Sequence, residues 1–234
     1  MKKKFTNLIF SQHSGFTLVE MAVTLVIMGL IISTLLGPLS AQRDMKNISG
    51  TQESLNQIKE ALNGFAILNG RLPCPTNQAD PANASYGLED CSIVTEGYLP
   101  WKTLGVNESD EWGQHRNSVT DSWNGYWRYR ADGNYVTTIL FNTNILAPVP
   151  AFANNLLIKD SNSNDVTPSA VGTEKPIAIV YSTGKDLVAN GQNSGAVDAV
   201  YESDTINSNF DDMLIWITRP IIVNRMVIAG KLPQ

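Results

Sequence analysis

Residues 16–37 read FTLVEMAVTLVIMGLIISTLLG, an apolar run interrupted by one acid, Glu20. No other stretch restricts the chain so much. As a helix, the segment from Phe16 to Leu36 reaches about 31 Å, roughly one hydrocarbon core. Lys2, Lys3 and Lys4 precede it, so the positive-inside rule leaves the N-terminus in the cytoplasm and places everything after about Arg43 beyond the inner membrane. The run is longer than the apolar region of a secretory signal peptide, and Leu39-Ser40-Ala41 is a faint copy of the small-residue cleavage site such a signal needs.

Glu20 calls for a partner. A carboxylate near the centre of a membrane helix costs about 2.5–3.5 kcal/mol, less near the interface. A cut between Gly15 and Phe16 would create an ammonium group four residues from Glu20 on the same helix, and a neighbouring subunit would offer the same group. Pairing either one with Glu20 removes two uncompensated charges. The plain alternative is a signal anchor whose carboxylate snorkels to the interface.

Gly15-Phe16-Thr17-Leu18-Val19-Glu20 resembles the processing site of type IV pilins and type II secretion pseudopilins. The resemblance covers about residues 8–38 and implies that the prepilin peptidase/N-methyltransferase cuts after Gly15 and methylates Phe16. It gives Glu20 the guidance of register during assembly. Gly29 and Pro38 fall where such helices commonly carry a glycine and a kink-forming proline. The partners it implies are other pilins or pseudopilins in a helical filament and an inner-membrane assembly platform.

The organisation expected is a cytoplasmic leader at 1–15, a transmembrane and polymerisation helix at 16–37, an amphipathic continuation at 38–70 and a periplasmic head at 71–234. Leu55, Ile58, Leu62, Phe65 and Leu68 recur at helical spacing, with Gly50 loosening the helix near the membrane exit and Asn69-Gly70 stopping it. Arg71-Leu72-Pro73-Cys74-Pro75 cannot continue a helix. Residues 76–97 read as a loop. Tyr126–Arg130 and Asn134–Leu140 flank Asp132-Gly133 and read as a hairpin, Ile177–Tyr181 and Met213–Thr218 as strands, and Pro220–Ala229 as a closing helix with Gly230 after it. The fold class is α+β: a spine helix on a small, mainly antiparallel sheet.

Cys74 and Cys91 are the only cysteines. An even count in an exported chain favours a disulfide; two free thiols or half a metal site are the alternatives, and no third or fourth Cys or His lies near enough for zinc. Removal of the leader deletes three lysines and no acid, taking the formal charge from −5 down by three to −8. Such a chain has no bulk attraction for nucleic acid.

Ser182-Thr183-Gly184-Lys185-Asp186, then Gly191 and Asp211-Asp212, resembles the calcium loop of the major pseudopilin of type II secretion. The resemblance implies calcium held by Ser182, Asp186, Asp211, Asp212 and the carbonyl of Leu187 or Val188, in keeping with that ion's demand for several oxygens. The long span from Gly191 to Asp211, with Asp198, Glu202 and Asp204, departs from the pattern; the bland reading is a solvated acidic loop.

The aromatics of Tyr98–Trp101 and Trp123–Tyr126 read as core with polar edges, or as a platform for sugar or a partner. Arg128 and Arg130 read as a solvated strand face. His115 is the only histidine outside the leader and has no nucleophile-elbow pattern around it. The chain therefore reads as a structural minor pilin or pseudopilin and not as an enzyme; a membrane-anchored periplasmic enzyme or carbohydrate-binding protein is the alternative.

Overall fold

The computed structural model describes residues 15–92, 95–137, 155–168 and 174–231, with the side chains at 34–38 and 196–197 outside the described set. The chain forms two compact units, 1–45 and 46–234. Helix α1, Leu18–Asn69, contributes residues to both. In the first unit its described apolar side chains, from Phe16 at 78% exposure to Ile32 at 59%, are open on all sides.

In the second unit α1 buries one stripe: Leu55, Ile58, Leu62 and Ala66 are all at most 1% exposed. Spacings of 3, 4 and 4 keep that stripe on one line of a 3.6-residue helix. The expected stripe ran instead through Phe65 and Leu68. Phe65 is only half-buried, its ring under the Arg71 guanidinium at 5.4 Å, and Leu68 is exposed. Gly50 does not loosen the helix, which runs on through it. A Cβ there would stand 2.7 Å from Cγ of Glu111, so the glycine admits a close neighbour. The helix ends as anticipated: Gly70 has φ +69°, its N–H donates to the Ala66 carbonyl, and Asn69 Nδ2 donates to that of Phe65.

The stripe packs on a four-stranded antiparallel sheet of order β1-β2-β4-β6, with β1 at Gly97–Tyr98, β2 at Arg128–Ala131, β4 at Pro176–Ser182 and β6 at Met213–Thr218. Alternation along the strands sends Tyr129, Ala131, Ala178, Val180, Ile215 and Ile217 to the α1 side. Ile179, Tyr181, Leu214 and Trp216 face the other way, toward a second layer made by β3, Leu157–Lys159, paired in parallel with β5, Val200–Glu202. β4 is apolar along most of its length because both its faces are covered. The short helix α2, Trp101–Leu104, follows β1, and helix α4, Arg219–Ile228, follows β6 directly, carries Pro220 in its first turn and buries Ile222 and Met226.

The hairpin expected after Ala131 is not formed. Asp132 Oδ1 accepts the Asn134 N–H, its carbonyl accepts that of Tyr135, and the chain turns into the short helix α3, Gly133–Thr137. That local cap outcompetes strand propensity, and β2 finds its partner in β4, Arg128 opposite Tyr181. Residues 138–140 of the expected strand lie outside the described residues, as does 1–14 of the leader. Cys74 and Cys91 form a disulfide with Cα atoms 5.0 Å apart. A bidentate Arg71–Glu89 pair braces it, and Glu89 also accepts the Cys74 N–H.

Leu62 is fully enclosed between helix and sheet, so Leu62→Ala is expected to lower unfolding free energy by about 2–5 kcal/mol, measured by chemical denaturation. A loss below about 0.5 kcal/mol, the range of ordinary surface changes, would contradict the packing described.

Candidate functional site

The N-terminus of α1 is closed by a reciprocal pair. Glu20 Oε2 accepts from the Thr17 N–H and hydroxyl, both at 2.9 Å, while Thr17 Oγ1 accepts the Glu20 N–H at 3.2 Å. This is a capping box, which satisfies helix-end donors that otherwise have no partner. The helix therefore starts at Leu18, and the Gly15–Phe16 bond lies ahead of it in non-helical chain. Within a single chain Glu20 already has partners. Its sequence signal is Thr-x-x-Glu at the head of an apolar run, Thr17 to Glu20.

The distal acids occupy the second unit. Asp211 Oδ2 accepts the N–H groups of Lys185 (2.7 Å) and Asp186 (3.1 Å), and Asp212 Oδ2 accepts those of Asn190 (2.9 Å) and the Asn193 side chain (2.8 Å). The other oxygen of each, Asp211 Oδ1 and Asp212 Oδ1, is buried without a hydrogen-bond partner. Burial pushes Asp212 up to about 7, with hydrogen bonds from Asn190 and Asn193 opposing and the charges of Asp211 and Asp186 adding to the rise; Asp211 is raised too, again chiefly by burial. Gly184, at φ +65°, lies against Asp211: a Cβ there would fall 2.5 Å from its Cγ and carbonyl oxygen.

Of the residues singled out in this loop, the structure brings together Asp211, Asp212 and the 184–190 turn. Asp186 joins it from the rim, exposed, its carboxylate accepting from Val188 N–H and Asn190 Nδ2. Leu187 sits in the left-handed region, φ +61°. Ser182 is withdrawn from the set. Its hydroxyl donates to Asp110 Oδ2 at 2.5 Å and accepts the Gly184 N–H. Two buried oxygens that lack donors suit a hard cation, while the Ser182 hydroxyl is already engaged. Among the described residues the one set of three Cys, His, Asp or Glu side chains close enough to share an ion is Cys74, Glu89 and Cys91. Its two sulfurs are bonded to each other and its carboxylate is held by Arg71.

Asp110 had no signal in the sequence. It is 6% exposed, accepts the Trp112 N–H at Oδ1, and is pushed up to about 6, chiefly by burial. Gly125, at φ +67°, leaves room for it, since a Cβ there would stand 2.4 Å from Asp110 Oδ1 and from Gly113 Cα.

The outer sheet face carries an open groove of about 830 Å³ beside the second layer. Arg128 and Arg130 are not a solvated strand face. Arg130 is 5% exposed, and Arg128 is ion-paired with Glu96, which also accepts the hydroxyls of Tyr181 and Tyr201. Trp101 and Tyr126 are core, as expected. Tyr98 and Trp123 line the groove but offer no open ring faces. Their rings stack 3.9 Å apart, with the Arg116 guanidinium 3.9 Å from the Trp123 ring and that of Arg128 4.8 Å from the Tyr98 ring. A sugar platform needs an uncovered face, and this stack uses its faces internally.

Residues 10–36 match the family model of the prokaryotic N-terminal methylation motif. The match supports a type IV pilin or pseudopilin-type protein, a substrate of prepilin peptidase in a pilin-type assembly context. No curated protein and no solved structure matches the chain. Among the described residues no helix is long and apolar enough to cross a membrane; the expected span, 16–37, includes side chains outside that set.

A raised acid pKa makes the folded state hold its proton longer than the unfolded chain does. Stability is then fully present below the ordinary aspartate value and is lost as pH rises through the folded values of Asp110 and Asp212, near 6 and 7. Without divalent cations, the melting temperature is expected to fall from pH 5 to pH 7.5, and Asp212→Asn to flatten that fall. Scanning calorimetry checks both, and a melting temperature that climbs over this window would contradict the burial of these acids.

Proposed function

We propose that the chain is a minor pilin or pseudopilin, a structural subunit rather than an enzyme, that is cleaved after Gly15 and built into a filament through its N-terminal helix. The observation that carries this reading is the combination of a methylation motif at 10–36 with a helix whose described apolar side chains in that stretch are exposed all round. Such a surface is stable only in lipid or against the same helix of neighbouring subunits.

Cleavage changes what Glu20 meets. The Phe16 amide becomes an ammonium group directly ahead of the Thr17 cap, and a charged donor competes well against the neutral donors Glu20 has within its own chain. On this reading the capping box holds the acid until an ammonium is presented, and exchange of partners sets the register of one subunit on the next. The partners are the prepilin peptidase/N-methyltransferase, other pilins or pseudopilins, and an assembly platform in the inner membrane, with the head in the periplasm.

The acid pair of the head is proposed to hold calcium, with Asp211 and Asp212 supplying their buried oxygens and the Leu187 carbonyl beside them; the Asp186 carboxylate, engaged by the Val188 N–H and Asn190 Nδ2, stays at the rim. The support is the pair of carboxylate oxygens that receive no hydrogen bond. A cation there keeps both acids ionised without the cost of uncompensated burial.

N-terminal sequencing of the protein recovered from membranes is expected to begin at methylated Phe16; a chain still starting at Met1 would end the processing claim. Glu20→Val is expected to insert and be cleaved yet fail to enter filaments, checked by shearing and immunoblotting, and its normal incorporation would remove the register argument. Millimolar calcium is expected to raise the melting temperature at pH 7.5 in the natural chain and not in Asp212→Asn.

A further inference from the structure

The reciprocal pair at the head of α1 is made of two kinds of bond. In one, the Thr17 hydroxyl accepts the Glu20 main-chain N–H at 3.2 Å. In the other, the Glu20 carboxylate accepts the Thr17 N–H and hydroxyl, each at 2.9 Å. Only the second kind needs the acid. The first needs a hydroxyl at position 17, and it survives a change of side chain at position 20 because its donor belongs to the main chain.

The hydroxyl fixes where the helix begins. The Met21 N–H donates to the Thr17 carbonyl at 3.2 Å, and α1 starts at Leu18. Ahead of it Gly15 and Phe16 are non-helical and exposed. A Cβ at Gly15 would meet nothing within 4 Å, and among the described residues no main-chain N–H reaches the Gly15 carbonyl. This open amide lies within the stretch 10–36 that matches the methylation motif.

Hydrolysis of that amide adds one water. The Gly15 carbonyl carbon takes the oxygen and becomes the carboxylate of the leader, while the Phe16 nitrogen keeps the electron pair of the broken C–N bond and leaves as an ammonium. Attack requires a carbonyl that water can approach. One more turn of helix would oppose it, since the Val19 N–H would close onto the Gly15 oxygen. Ser14, a residue of capping type, stands three positions before Thr17. A chain without the Thr17 hydroxyl leaves helix-end donors unmet and has a second start upstream, which would draw Gly15 and Phe16 into the first turn.

We propose that Thr17 is a positioning residue for leader removal: its hydroxyl halts α1 at Leu18 and so presents the Gly15–Phe16 bond to the peptidase as open chain. The proposal rests on cleavage after Gly15, the processing reading of the motif. It divides the capping box in time, with the Thr17 hydroxyl acting before the cut and the Glu20 carboxylate after it.

The test uses the full-length precursor in detergent micelles with a purified prepilin peptidase. Leader removal is followed by mass spectrometry, and amide hydrogen exchange at Val19 is recorded in the same precursors before the enzyme is added. Thr17→Val keeps the size of the side chain and removes the hydroxyl. It is expected to lower kcat/KM about fivefold, the factor that a lost cap of ordinary strength carries, and to slow exchange at Val19. Thr17→Ser is expected to return both readouts to those of the natural chain, and Glu20→Val to be cut as the natural chain is. If the natural precursor is not cut after Gly15, the processing reading and this proposal fall together. Cutting of Thr17→Val at the natural rate overturns the proposal alone, as does slower cutting with unchanged exchange at Val19, which would mean that the peptidase reads the Thr17 side chain directly. Glu20→Val slowed as much as Thr17→Val would overturn the division between hydroxyl and carboxylate.

Discussion

A single helix has to satisfy two surroundings, and the architecture follows from how it does so. From Leu55 to Ala66 it presents one narrow stripe that the inner sheet face closes over; between Phe16 and Ile32 its described apolar side chains are open all round. The stripe gives the head a core that is complete within one chain. The N-terminal half has no comparable cover within its own unit. The same helix thus anchors a self-sufficient fold at one end and creates a demand for lipid or neighbours at the other.

Much of this was legible because apolar periodicity and cap chemistry are local. The stop at Asn69-Gly70, the strands at 177–181 and 213–218 and the helix after Pro220 each follow from residues within a few positions of one another. Misreadings occurred where a distant partner decides. Phe65 and Leu68 sit at helical spacing with Leu62, yet the sheet meets the helix along the line through Ala66. Gly50 looked like a weak point because Glu111, sixty-one positions away in the chain, does not announce itself. Arg128 and Arg130 alternate as a solvated face should, until a second layer and Glu96 arrive from elsewhere. The failed hairpin is the exception, since Asp132 capping α3 is a local event that strand propensity concealed.

The acids of the head divide in the same way. The loop carrying Asp186, Asp211 and Asp212 was visible as a pattern, but which oxygens remain without donors is a property of the folded turn. Asp110 was invisible, being placed beside Gly125 and held by the hydroxyl of Ser182 and the N–H of Trp112. That contact explains why a serine expected to bind a cation is occupied with something else.

Arg116 has a consequence of its own. Its charge is met by the dipoles of three main-chain oxygens rather than by an acid, and a guanidinium does not lose its proton under any condition a cell encounters. The clamp it makes between the 79 and 116–121 loops is therefore indifferent to acidity, whereas the turn around Asp212 is not. A change in acidity that reaches both is therefore felt at the Asp212 side of the outer face.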